Sequence, residues 1–342
     1  MSEWRIGILG ATGLVGQEMI ATLEQRKFPV SELRPLASER SAGETVQFHG
    51  EEIDIQVADE NAFNDLDIVL SSAGGSVSKA LLPAAAKAGA VSIDNTSAFR
   101  MDPEVPLVVP EVNPHRVADY GAKRIIANPN CSTIQLVLAL KPLHDKLGLE
   151  RVLVSTYQST SGAGKAAIDD LFEETRSVYT QEPYQRQKFP KRIAFNVLAQ
   201  IDVFLDDGDT KEEWKMRVET PKILEAEIPL HATCARVPVF FSHAEAVWVQ
   251  TVEDTSPEQL RTLFAQMPGV EVLDDPDNDV FPTPVDAAGT DPTYIGRIRR
   301  DPTHPRGFAF WVVADNIRKG AALNAVQIAE RLATHWDEHG HA

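Results

Sequence analysis

The feature that most constrains this chain lies at its start. An apolar run, Trp4–Leu9, leads directly into Gly10-Ala-Thr12-Gly13-Leu14-Val15-Gly16, and Gln17-Glu-Met-Ile follows with helical spacing. Few folds join a strand to a helix through three glycines. Glycine permits the tight turn and lets main-chain N–H groups come close to a ligand. The helix then points its positive end at whatever sits over the turn, which suits a pyrophosphate. Gly-x-x-Gly-x-x-Gly is a variant of the Gly-x-Gly-x-x-Gly dinucleotide fingerprint, and its place between a buried strand and a helix gives it weight. A purely structural strand–helix turn is the competing reading.

The residues that follow fit a dinucleotide-binding architecture. Further strands are expected at Leu33–Ala37, Leu66–Ser71, Val91–Asp94, Leu107–Val109 and Arg124–Ala127, with helices at Gln17–Glu24 and Ser78–Ala88. Alternating β and α units of this length imply a mostly parallel sheet covered on both faces. Strands that are apolar throughout, such as Ile6-Gly7-Ile8-Leu9, belong in such a sheet. The pattern then changes. Arg151–Thr156, His231–Phe240, Ala244–Gln250 and Phe308–Ala314 are alternating or β-branched runs. They suggest a second sheet, more antiparallel than parallel, with one covered face. Leu273–Pro292 reads as loop, and Ala321–Trp336 has helical spacing.

Composition narrows the function. A chain of 342 residues has room for two domains. Its 33 Lys+Arg against 50 Asp+Glu give a net charge of −17, which argues against sequence-independent nucleic-acid binding. A few local cations could still hold a small anion. Two cysteines cannot form a disulfide framework, and a reducing cytosol suits them. No apolar run approaches the length of a membrane span, and the start does not read as a secretory signal. His335, His339 and His341 read as a solvated helix end rather than a metal site, so no metal is expected.

The end of the second strand helps choose between nicotinamide cofactors. Enzymes that use NAD usually place an acid there to hold the ribose 2′-hydroxyl. Here Ser38 and Ser41 flank Glu39-Arg40, a donor set suited to a 2′-phosphate. Arg40 with the two serines outweighs Glu39, so NADP is the expected cofactor.

Further along, Asn128-Pro-Asn-Cys131-Ser-Thr-Ile-Gln places a cysteine where a polar turn meets an apolar helix. In a first helical turn the orphan N–H groups and the dipole stabilise a thiolate, which makes a nucleophile. A small buried hydrophobe near a turn is the alternative. Cys234, inside a strand run, fits that alternative better. A thiolate beside a nicotinamide can carry an aldehyde or an activated acyl group between thiohemiacetal and thioester. His243, following a strand that bears Arg236, is the best acid–base candidate, although a lone histidine after a strand is also often structural.

At this point the residues match a family. The stretches GILGATGLVGQEM, LASERSAG, DNTSAFRM, ANPNCSTIQ, STYQSTSGAGKAA, DDGDTKEEWKM, CARVPVFFSHAE and DNIRKGAALNAVQIAE give a chain that resembles aspartate-semialdehyde dehydrogenase throughout its length. The resemblance implies that NADPH reduces L-aspartyl 4-phosphate to L-aspartate 4-semialdehyde with release of phosphate. That step leads toward lysine, diaminopimelate, threonine, methionine and isoleucine. It implies Cys131 as nucleophile, His243 as general acid–base and Gln158 as the residue orienting the acyl group. Arg236 would grip the substrate carboxylate, Glu212 and Lys215 the amine and phosphate, and Asn95 and Arg100 the rest of the phosphate site. Gly10, Thr12, Gly13, Leu14, Val15, Gly16, Ser38, Arg40 and Ser41 would hold NADP, with Ser161, Gly162 and Asn316 near its nicotinamide. It further implies an α/β fold with a Rossmann-like NADP-binding domain, 1–130 plus 317–342. An α+β catalytic and dimerisation domain, 131–316, would carry a mixed or antiparallel sheet. A cytoplasmic homodimer would follow, acting on a small-molecule substrate.

Three other readings compete. A glyceraldehyde-3-phosphate dehydrogenase would carry a Ser-Cys-Thr-Thr block, which is absent. An N-acetyl-γ-glutamyl-phosphate reductase would share the glycine loop, cysteine and histidine, but Asn130 and Ser132 depart from its Asn-Pro-Gly-Cys-Tyr pattern. A non-catalytic paralogue would have little reason to keep Cys131, Gln158, Arg236 and His243 together.

Overall fold

The computed structural model describes residues 2–41 and 43–340, and the chain divides into two units, Met1–Asn130 with Ala321–Ala342, and Cys131–Gly320. The first unit contains β1 (Trp4–Leu9), β2 (Val30–Ala37), β3 (Thr45–Phe48), β4 (Glu51–Asp54), β5 (Gln56–Val57), β6 (Ile68–Ser71), β7 (Val91–Asp94) and β8 (Ile125–Ala127). Six of these form a sheet in the order β5-β2-β1-β6-β7-β8, with every pair parallel. Parallel neighbours need crossovers. Helices α1 (Leu14–Gln25) and α2 (Gly75–Lys87) supply two of them.

The C-terminal helix, Leu323–His339, rejoins this unit. Its apolar face places Val326, Ala329, Leu332 and Trp336 in one core with Ile6, Ile8, Met19 and Ile68. The Trp336 ring lies 5.1 Å from Trp4, and its indole N–H donates to the Tyr120 hydroxyl at 3.2 Å. A π-helical turn, Arg318–Ala322, precedes this helix.

Two details depart from the sequence reading. Leu107–Val109 does not form a strand; Leu107 alone bridges to Ala127. Pro106 and Pro110 bracket the run, and a residue without an N–H cannot extend a ladder. The hairpin β3–β4 was not anticipated. It closes through His49 and Gly50, both at positive φ (52° and 79°), as the favoured two-residue hairpin turns require.

The second unit contains β9 (Leu149–Gln158), β10 (Leu230–Arg236), β11 (His243–Thr251), β12 (Val270–Val272), β13 (Thr293–Arg300) and β14 (Gly307–Ala314). Their order is β10-β9-β11-β14-β13-β12. The sheet is mixed rather than antiparallel. β10 runs parallel to β9, and β12 to β13, while the other pairs are antiparallel. The β9–β10 connection is long and holds α4 (Lys165–Thr180) and α5 (Lys211–Leu224), which is what a parallel pair needs. β10 ends at Arg236 rather than Phe240, as Pro238 follows closely.

Helix α3 (Cys131–Leu147) covers one face of this sheet. That face is read by period two. On β9, Val152, Val154, Thr156 and Gln158 are buried; on β11, His243, Glu245, Val247 and Val249 are buried. Tyr157, Trp248 and Trp311 emerge on the other face, half-buried or exposed. Helices α6 (Pro257–Ala265) and α7 (Pro284–Ala287) complete the unit. No helix among the described residues is long and apolar enough to cross a membrane.

Candidate active site

β1 ends at Leu9 and α1 begins at Leu14, so Gly10–Gly13 is the whole turn. Gly10 has φ 92°, a conformation that side chains resist. A Cβ on Gly16 would stand 2.2 Å from the Gly10 carbonyl oxygen, so only glycine lets the helix pack this closely on the turn. Leu14 and Val15 form the first turn of α1, and Val15 packs against the core. Gly10, Thr12 and Gly13 join Ser38, Ser72 and Ser76 around a cleft of about 630 Å³. The Ser72 hydroxyl is buried with no hydrogen-bond partner among the described residues. A glycine turn, a helix start and an orphaned hydroxyl fit the phosphates and ribose of a nucleotide. Arg40 and Ser41 sit in the 3₁₀ turn Glu39–Ser41 beyond β2. Ser38 lines the cleft, whereas the exposed Arg40 and the half-buried Ser41 are not among its walls.

Asn95 and Arg100 belong to the same unit, on the loop after β7. Arg100 is 6% exposed, donating from Nε to the Asn128 carbonyl at 2.9 Å and from Nη2 to the Asn95 carbonyl at 2.8 Å. The Asn128 amide donates to Asn95 Oδ1 at 2.5 Å and accepts from Asn324 at 2.6 Å. Asp94 secures the start of the loop. Its carboxylate accepts from Ser78 Oγ at 2.9 Å, Thr96 N at 3.0 Å and Thr96 Oγ1 at 2.8 Å. Burial still pushes the Asp94 carboxyl up, against those hydrogen bonds.

The second unit holds nine of the predicted residues, three of them on its covered sheet face. Arg236 is paired with Gln158 across β10 and β9, and His243 begins β11 one step beyond the Ala244–Tyr157 pair. Arg236, Gln158 and His243 therefore form a row, each at most 5% exposed. Cys131 is the first residue of α3 and remains half-buried. Glu212 Oε1 accepts from Gln158 Nε2 and from Ser132 Oγ, both at 3.0 Å, and Oε2 accepts from Lys215 Nζ at 3.0 Å. Helical spacing in α5 puts Glu212 and Lys215 on one side. Lys215 also donates to Asp202 at 3.2 Å.

Arg236 donates from Nη1 to the Ser159 carbonyl at 2.6 Å. Burial draws its guanidinium below the ordinary range, while the charges of Glu212, Cys131 and Cys234 oppose the shift. Burial and the Arg236 charge push His243 down to about 3. Asn316 Oδ1 accepts from Ser159 Oγ at 3.0 Å, Ser161 Oγ at 3.1 Å and Ser242 N at 2.9 Å. Gly162, in the 3₁₀ turn after β9, lies flat against the pair. A Cβ there would sit 3.0 Å from Arg236 Nη1 and 3.1 Å from His243 Nε2. Gly320 makes the same approach to the cysteine, where a Cβ would be 2.9 Å from that of Cys131.

Sequence reasoning missed Ser132, Ser159, Glu245, Asp94 and Gly320. Period two from His243 could have found Glu245, and adjacency to Cys131 and Gln158 could have found the two serines. Gly320 carried no local signal. Cys234 is buried, and burial pushes its thiol up. Among the described residues no His, Cys, Asp and Glu cluster could hold a metal; His335 and His339 stack on each other, and His341 lies outside the described residues.

Comparison with known proteins agrees with this fold. Family models for the semialdehyde dehydrogenase NAD-binding domain and the semialdehyde dehydrogenase dimerisation domain match residues 5–120 and 140–319. The aspartate-semialdehyde dehydrogenase of Aquifex aeolicus is 54% identical over 332 residues, spanning 96% of this chain and 98% of that protein. Aspartate semialdehyde dehydrogenase II from Vibrio cholerae, in its crystal structure complexed with ASA, is 49% identical with a TM-score of 0.96, covering 98% of this chain and 100% of that one. The Candida albicans aspartate semialdehyde dehydrogenase, solved with NADP, is 27% identical with a TM-score of 0.75, covering 96% and 98%.

Proposed function

Because the chain belongs to the aspartate-semialdehyde dehydrogenase family, we propose that it converts L-aspartyl 4-phosphate to L-aspartate 4-semialdehyde and phosphate, with NADPH, through a thioester on Cys131. The observation that carries this reading is the row Arg236–Gln158–His243, laid on the sheet face that the Cys131 helix covers.

The Cys131 thiolate attacks the acyl carbon. Gln158, steadied by Glu212, orients the acyl group. The Arg236 fork suits the α-carboxylate, since a guanidinium binds a carboxylate through two parallel bonds. Glu212 receives the α-amine, and Lys215, Arg100 and Asn95 hold the phosphate as it leaves. His243 serves the acyl oxygen. The turn Gly10–Gly16 would hold the dinucleotide, Ser38, Arg40 and Ser41 its 2′-phosphate, and Ser161, Gly162 and Asn316 the nicotinamide end. NADPH supplies the hydride when bound. The half-exposed face bearing Tyr157, Trp248 and Trp311 would pair two copies into a homodimer through the domain named for dimerisation. On this reading the enzyme works in the cytoplasm, and its product stands at the branch toward lysine, diaminopimelate, threonine, methionine and isoleucine.

The test is phosphate-dependent reduction of NADP with aspartate semialdehyde, beside N-acetylglutamate semialdehyde and glyceraldehyde 3-phosphate, repeated with NAD. Turnover is expected with the first aldehyde and NADP. Preference for another aldehyde would overturn the substrate, and equal use of NAD would overturn the cofactor. Cys131→Ala is expected to abolish turnover while NADPH still binds; retained turnover would remove Cys131 as nucleophile.

A further inference from the structure

Arg236 stands at a weak point of its sheet. β10 is an edge strand, and Pro238 follows two residues later. A strand residue points its N–H and C=O to one side. At Arg236 both meet Leu198 rather than β9. Arg236 N donates to the Leu198 carbonyl at 2.8 Å, and Leu198 N donates to the Arg236 carbonyl at 2.9 Å. Leu198 belongs to no strand. It lies within 181–200, a strap that forms neither helix nor strand apart from this bridge.

A strap without a ladder of its own must be held from elsewhere. Two carboxylates of α4 hold it. Asp170 and Glu174 are four residues apart, so they share a helix face. Both are buried, at 0% and 5% exposure. Asp170 Oδ1 accepts from Tyr184 Oη at 2.9 Å and Gln187 N at 2.8 Å, and Oδ2 accepts from Lys188 N at 2.7 Å and Phe189 N at 3.2 Å. Four donors saturate an ionised carboxylate. Burial raises this carboxyl, yet those donors hold it below its ordinary value. Glu174 Oε1 accepts from Arg186 Nε at 2.8 Å, and Oε2 accepts from Ile193 N at 2.7 Å and Ala194 N at 3.1 Å. Ile193, Ala194 and Leu198 share a small core with Leu171 of the same helix, and Phe189 packs against it.

Resting on the function proposed above, we propose that Asp170 and Glu174 are positioning residues for Arg236, and that through the strap they set the preference for aldehydes bearing a carboxylate. The effect runs through geometry. Arg236 Nη1 is committed to the Ser159 carbonyl at 2.6 Å, so the tip of the side chain has a fixed anchor. A shift of its main chain tilts the guanidinium about that anchor. Two parallel bonds to a carboxylate tolerate little tilt. An aldehyde without the carboxylate never meets the fork and does not feel the change.

Two readouts test this on the whole enzyme. The first uses no substrate, so it stands or falls apart from the aldehyde assay above. Glu174→Ala removes the acceptor for Ile193 and Ala194, while Asp170 still holds the first half of the strap. Amide hydrogen exchange at Leu198 and Arg236 should then quicken at least about tenfold, with β11 unchanged. Faster exchange at Ile193 and Ala194 alone would show that the strap does not seat Arg236, and would overturn the proposal. The second compares aspartate semialdehyde with 3-aminopropanal, the same aldehyde without its carboxylate. The ratio of their kcat/KM values should fall about tenfold in Glu174→Ala, through KM for aspartate semialdehyde, and return in Glu174→Gln, whose amide oxygen can still accept from both main-chain N–H groups. Equal losses on both aldehydes, or a Gln variant as impaired as the Ala variant, would reduce the pair to a structural role and overturn the proposal. Should Glu174→Ala not fold, Glu174→Asp, one methylene short of the two amides, is read the same way.

Discussion

Gly162 has no side chain, yet much of the site depends on it. The missing Cβ is what lets the 3₁₀ turn lie against both Arg236 and His243, at 3.0 and 3.1 Å. Alanine is not barred there by φ, since Gly162 is not among the positive-φ glycines. Gly162→Ala should therefore fold normally and displace the two side chains by a few tenths of an ångström. Misplacement of that order weakens positioning, so kcat should fall about 10- to 100-fold with little change in Tm. Unchanged kinetics would mean that the turn yields instead of the side chains. At this scale, what was readable in the sequence followed from immediate neighbours. Gly10, Gly13 and Gly16 could be read because strand and helix flank them. Cys131 could be read because a proline turn precedes its helix. Gly162 and Gly320 serve atoms far away in the chain, and no local pattern marks such a glycine. The role of Arg236 came from resemblance, and the residues themselves offered His243 only as a candidate, because a residue after a strand does not reveal what it faces.

Helix α5 carries Glu212 and Lys215, so its first turn sets where two polar groups of the site stand. Thr210 caps it in a reciprocal box. Thr210 Oγ1 accepts from Glu213 N at 3.5 Å, and Glu213 Oε2 accepts from Thr210 N at 2.6 Å. The other Glu213 oxygen accepts from Cys234 N at 2.8 Å and ties the helix to β10. Thr210→Ala should cost about 1 kcal/mol of stability, the usual weight of an N-cap. It should also raise KM for phosphate more than it lowers kcat. Chemical denaturation and steady-state kinetics check the two parts; an unchanged denaturation midpoint would show the box to be dispensable. Elements with a strong period were readable from sequence: β1, β7 and β14 follow their apolar runs closely. The run at Leu107 failed because prolines at both ends remove the donors a strand needs. The β3–β4 hairpin was missed because its strands are polar and mostly exposed, so burial leaves no alternation to see.

The whole molecule carries −17, although both proposed ligands are anions. The local solution is to bury the cations against acceptors of their own unit. Arg100 donates to main-chain carbonyls in the first unit, and Arg236 does so in the second, at 6% and 5% exposure. Such cations are shielded from salt far better than surface ones. The same burial works against Glu245, two residues beyond His243 on the same covered face. Neither of its oxygens has a hydrogen-bond partner among the described residues. Burial lifts its carboxyl well above the ordinary 4.5; the nearby Gln135 amide, short of a full hydrogen bond, offsets this only in part, and the Glu212 charge adds to it. The unfolded chain releases that proton near the ordinary value, while the folded chain keeps it. Above that pH the folded state thus binds more protons, and stability falls as pH rises, by up to about 1.4 kcal/mol per pH unit for one proton. The loss continues until the folded carboxyl ionises. Glu245→Gln removes the titration and keeps the shape. Its Tm relative to the parent should be lowest near pH 4.5 and climb steadily toward pH 8, measured by calorimetry across that range. Parallel curves would mean that Glu245 holds no extra proton in the fold. The facing of Glu245 could have been read from the alternation of β11. Its lack of a partner could not, because that depends on which side chains α3 lays over it.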